Sequence, residues 1–254
     1  MSSSGQDPYF AGWDLLDRQQ RRQRRFRRWL DAPTVAFVDD STRQAYRGRV
    51  QLLIDSITLK KPARPPVSAT VGFYVGKHSG LTKREAMYDH ERSAAALVRY
   101  HEDFQPDFQT RPVAPARVFD LLGLEFVDWP GRGLTDDTPW QYVESEYMQP
   151  DEYDALIADP GEYFRRALLP RFGSAFGALA GLAPFSDMTE AASLPYNILP
   201  FADPAVTEGV QRLAEAARTS LAWLKATGAA AAEVAARLGI PPEVGGAAKA
   251  PYDV

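Results

Sequence analysis

Apolar residues recur at helical spacing in several stretches of the chain. Over 13–30, Leu15, Leu16, Phe26, Trp29 and Leu30 stand among arginines and glutamines, which predicts a helix behind a loose polar end at 1–12. Over 42–58, Tyr46, Val50, Leu53, Ile54 and Ile57 repeat every three or four positions and predict a second helix. The prolines of LKKPARPP end it. The next run, VSATVGFYV (67–75), is β-branched, aromatic and almost continuously apolar, as in a strand buried on both faces. A loop at 76–80 follows. Thr82 with Glu85 three residues on is a capping box, opening a helical stretch to about Phe104 that breaks near Asp89. Strand, loop and capped helix make one βα unit.

Short extended runs are predicted at 116–121, 124–128 and 142–148, with a turn-rich loop at 129–133. Helices follow at 151–159, 162–182 (kinked at Pro170), 206–226 and 229–238. In the third, Val206, Val210, Leu213, Ala217, Leu221 and Leu224 form an apolar stripe. The end, 245–254, reads as the start of a buried strand. The fold class expected is α/β.

Composition narrows the chemistry. The chain has 254 residues and no cysteine, which excludes disulfides, thiol nucleophiles and zinc–thiolate sites and fits a reducing, cytoplasmic setting. A three-histidine metal site would need His78, His90 and His101 together, and no metal site is expected. No run is apolar for long enough to span a membrane. The net charge of −4 argues against a general nucleic-acid binder. That average hides a segregation: residues 1–30 carry a net +4 and the rest a net −8. The arginines between Arg18 and Arg28 read either as an arm for RNA or anionic lipid, or as a solvated face docked on an acidic body.

No Walker loop, G-x-S-x-G, H-E-x-x-H or G-x-G-x-x-G occurs. In a β/α barrel the site lies at the C-terminal strand ends. The strand ending at Tyr74 and Val75 would then bring Lys77 and His78 to that face, to bind a carboxylate or exchange a proton. Glu144 and Glu146 would share one strand face, either turned to water or forming an acidic pair in which Glu146, beside Tyr147, donates a proton or positions a ligand.

The segment YVESEYMQPDEYDALIADPGEYFRRALLPR (142–171) resembles a block of uroporphyrinogen decarboxylase-like proteins. Residues 59–89 and GGAAKAPYDV (245–254) support the likeness in the same order. G-K-H-S-G stands where the porphyrin-biosynthesis enzymes carry R-Q-A-G-R. The resemblance implies a TIM-type barrel, acting as a cofactor-free decarboxylase (a lyase) or a corrinoid-dependent methyltransferase on an anionic substrate. It places Glu146, Tyr147 and Asp253 as catalytic candidates, and Tyr74, Lys77, His78, Glu144 and Tyr252 as substrate-binding ones. No cofactor is expected in this chain; zinc or corrinoid would need ligands from a further C-terminal part.

Only three or four strands precede Val254, so the barrel expected is partial, with extra N-terminal and inserted helices. The division expected is an arginine-rich arm at 1–40 and a truncated barrel portion at 41–254. The alternative readings are a non-catalytic interaction module and a homo-oligomer whose copies cover each other's open barrel edge.

Overall fold

The computed structural model describes residues 7–68 and 71–242. The elements are α1 (Arg18–Asp31), α2 (Asp40–Ile57), α3 (Tyr74–His78), α4 (Lys83–Tyr88), α5 (His90–Phe104), α6 (Ala116–Leu122), β1 (Val127–Pro130), β2 (Gly133–Leu134), β3 (Gln141–Tyr142), α7 (Tyr153–Ala158), α8 (Pro160–Tyr163), α9 (Leu169–Phe172), α10 (Gly177–Ala180), α11 (Leu194–Asn197) and α12 (Pro204–Leu238). Among the described residues, two compact units share them: 7–68, 71–79, 94–112 and 227–242 form one, and 80–93 with 113–226 the other.

This is a helical protein with a small open sheet, not a β/α barrel, whole or partial. The sheet has three strands in the order β2-β1-β3, parallel between β1 and β2 and antiparallel between β1 and β3. A barrel closes eight parallel strands through helical crossovers. Strands of four, two and two residues cannot do so. Among the described residues, no helix is long and apolar enough to cross a membrane.

The expected strand at 67–75 is the main local correction. Gly72 takes φ +49°, which turns the chain, and Tyr74–His78 is helical. The Tyr74 ring stacks over His78 at 6.0 Å, a one-turn helical neighbour. Residues 69 and 70 of that run, like the expected strand at 245–254, lie outside the described residues.

The run at 116–121 is also helical, because Pro115 precedes the first turn and Gly123 closes the last at φ +60°. Of 142–148, only Tyr142 is in a strand. The helix expected over 162–182 is a chain of short turns. A π-helical turn at Phe164–Leu168 precedes Pro170, which lacks the amide that would bond the Arg166 carbonyl. The two helices expected at 206–226 and 229–238 are one, α12. Its predicted stripe is only partly buried: Val206 is inside, while Leu221 and Leu224 are exposed.

Local pattern succeeds where it is reinforced. In α2, Asp39 caps the helix through the Thr42 N–H at 2.7 Å; of the predicted apolar face, Ile57 is exposed at the helix end, while Tyr46, Val50 and Ile54 are buried. With Ala32 and Ala235 they form the first unit's apolar cluster, flanked by Phe26, Trp29, Leu30, Val35 and Phe37. The Thr82–Glu85 capping box forms as expected, and Asp89 separates α4 from α5.

Polar groups complete the first unit's core. Asp107 is 1% exposed and accepts from both terminal nitrogens of Arg64 and from the Val67 N–H, each at 2.6 Å. Gln109 donates to the carbonyls of Ala231 and Ile240. In the second unit, Trp129 is fully buried and donates to the Tyr88 hydroxyl at 3.1 Å, which donates to Asp120 at 3.2 Å. That relay fastens β1 to α4 and α6.

Candidate polyanion interface

The strongest chemical feature among the described residues is α1. Asp17 caps it through the Gln20 N–H at 2.8 Å, and the Gln20 side chain closes the box on the Asp17 N–H. Its apolar residues Phe26, Trp29 and Leu30 pack on the α2 cluster. The arginines therefore point elsewhere, six of them in two groups; the seventh, Arg27, is exposed and belongs to neither.

Arg21, Arg24 and Arg28 hold the segment before the helix. Arg21 donates to the carbonyls of Trp13 at 3.1 Å and Asp14 at 3.3 Å, and Arg24 to that of Ala11. Arg28 pairs with Asp7 at 2.7 Å, and the Tyr9 hydroxyl donates to Asp31 at 2.8 Å. Residues 7–16 are thus laid back along α1 in two 3-10 turns: 7–12 are not loose as the sequence suggests, and 13–16 precede the helix rather than begin it. The Arg28 contact and the Tyr9 N–H hold the Asp7 carboxyl below the usual carboxylate range.

Arg18, Arg22 and Arg25 form the second group. They stand at i, i+4 and i+7, along one stripe of the helix, and all three are exposed. None of them has a carboxylate partner among the described residues; Arg28–Asp7 is the ion pair that an α1 arginine makes there. The helix docks by its apolar face on an apolar cluster and leaves these three arginines on its solvated face. Arg25 lies 5.0 Å over the Trp13 ring. Exposed guanidinium groups without carboxylates are free to fork onto phosphate oxygens.

The residues chosen from the sequence do not form one site. Tyr74, Lys77 and His78 share the short helix α3. His78 Nε2 is 2.7 Å from Asp103, the His78 ring meets Phe104 edge-on at 4.9 Å, and Lys77 is exposed. Glu144, Glu146 and Tyr147 lie in the other unit, on an irregular segment rather than a strand. Both glutamates face solvent. Tyr147 stacks on Phe172 at 4.9 Å and donates to the Val143 carbonyl, so it acts as packing. Tyr252 and Asp253 lie outside the described residues.

Among the described residues, no group of His, Asp and Glu could hold a metal ion. His101 is buried and structural: its Nδ1 is 2.7 Å from the Leu97 carbonyl, and its Nε2 accepts the Thr110 N–H at 3.1 Å. Neither Asp107 nor the structural role of His101 is marked in the sequence, because nothing in its local pattern signals a buried polar group. Comparison with protein-family models, curated proteins and solved structures finds no match.

Proposed function

We propose that this chain is a binding module for phosphate-bearing polyanions, with α1 as its interface. One observation carries the reading: Arg18, Arg22 and Arg25 share an exposed stripe with no carboxylate partner among the described residues. The overall charge of −4 does not oppose it, because positive charge is concentrated in residues 1–30. The apolar face of α1 is occupied by the core, which favours a surface electrostatic contact over insertion into a bilayer. The decarboxylase or methyltransferase reading drew its site from a barrel mouth that this fold does not have.

Binding of inorganic polyphosphate to the full chain tests the proposal. Replacing Arg18, Arg22 and Arg25 together by Gln weakens binding at least tenfold and makes it less steeply dependent on salt, as expected from losing about three phosphate contacts. Equal binding by a correctly folded triple variant overturns the reading.

A further inference from the structure

Resting on that reading, we infer that the polyanion is a single-stranded nucleic acid, one of whose bases enters the concavity beside Trp13. The concavity measures about 740 Å³ and is lined by Phe10, Gly12, Trp13, Asp14, Leu15 and Arg25. Two aromatic rings, Phe10 and Trp13, meet edge to face at 5.1 Å on its wall. Leu15 is 90% exposed at its rim. A Cβ placed on Gly12 would meet no atom within 4 Å, so the space beside the backbone is open.

This arrangement suits a flat, uncharged ring with phosphates on one side of it. Bases stack on aromatic rings and on guanidinium planes, and both surfaces are present where Arg25 covers Trp13. The stripe of Arg18, Arg22 and Arg25 adjoins the concavity, which Arg25 lines, and would take the phosphates. It spans about 10 Å of helix axis.

Asp14 decides what enters. Its exposed side chain repels phosphate and accepts a hydrogen bond from an exocyclic amino group of cytosine, adenine or guanine. A lipid headgroup, which carries its phosphate to the surface, meets that repulsion without a compensating ring. A duplex keeps its bases stacked and presents none.

The test uses the full chain and five probes: a labelled single strand of mixed sequence, the same strand made abasic, the corresponding duplex, phosphatidylserine vesicles and inorganic polyphosphate. The intact strand is expected to bind about tenfold more tightly than the abasic strand or the duplex. Trp13→Ala removes that advantage, bringing intact and abasic strands to equal affinity, and Trp13→Phe restores most of it. Equal affinity for intact and abasic strands, with the arginine variant still defective, overturns the base-binding inference alone. Vesicle binding tighter than strand binding overturns it in favour of a membrane surface. Failure of every probe, polyphosphate included, overturns the underlying polyanion reading instead.

Discussion

Arg64 grips Asp107 through both of its terminal nitrogens at 2.6 Å, and only the aspartate is buried. The carboxylate also accepts the Val67 N–H and lies 4.0 Å from Arg49. Arg49 in turn donates to the carbonyls of Leu238 and Gly239. One buried charge therefore ties the loop after α2 to the segment after α5, and Arg49 carries the connection to the end of α12.

Removing that charge should loosen the first unit. Asp107→Ala leaves the Val67 N–H without its acceptor and Arg49 without its nearby anion, and is expected to cost about 2–3 kcal/mol in urea unfolding. This is below the value for a fully buried pair because Arg64 is half exposed. Burial by itself raises the Asp107 pKa, but the Arg64 bonds, the Val67 N–H and the Arg49 charge together hold it below the ordinary value. Its contribution is thus present above about pH 4 and is lost as pH falls through the depressed folded value. Equal stability of the unsubstituted protein and the Asp107→Ala variant at neutral pH would contradict the assignment.

His101 predicts a second pH dependence, in a different window. Burial lowers its pKa, opposed by the bond to the Leu97 carbonyl. The unfolded imidazole takes a proton near pH 6.5 while the folded one stays neutral, so stability falls as pH drops below that value. Nitrogen NMR at pH 6 should find the proton on Nδ1 and Nε2 bare. His101→Phe removes this residue's share of the dependence, leaving that of His90, whose pKa burial also lowers, and costs about 2 kcal/mol, since the Leu97 carbonyl and Thr110 N–H lose their partner. A charged ring at pH 6 would refute the arrangement.

Glu152 supplies the acid-side prediction of the second unit. Arg171, the Gln149 N–H and the Tyr163 hydroxyl all bond its carboxylate and hold its pKa at about 2. Because the folded value is depressed, its contribution is complete above about pH 4.5 and is lost as pH falls toward 2. Carbon NMR should show the Glu152 carboxyl titrating near 2, and Arg171→Gln should move that midpoint upward. An ordinary midpoint in the unsubstituted protein would show that these bonds do not persist in solution.

Legibility followed how local the determinant was. The buried face of α2, the Thr82–Glu85 box and the break at Asp89 rest on residues within a turn or two of each other, and each appears where the pattern places it. The strand at 67–75 failed because continuous apolarity does not distinguish strand from buried helix, and the decisive residue was Gly72 at φ +49°. Pro115 and Gly123 were visible helix boundaries around 116–122, outweighed by the apolar run between them. The barrel followed from the resemblance and fails on the sheet: β3 is two residues long, and most of 142–171 is irregular or in short helical turns.

The sequence by itself determined the segregation of charge, the amphipathic helices and their caps, because these depend on composition and on neighbours three or four positions apart. Only the tertiary structure decided which arginines of α1 bond carbonyls and carboxylates and which stay exposed without them. Arg21, Arg24 and Arg28 bind a segment folded back along the helix, whereas Arg18, Arg22 and Arg25 remain without a carboxylate among the described residues. The physical reason is that an arginine's partner is set by what the packed chain brings within about 3 Å of its guanidinium. No spacing along a single helix carries that information.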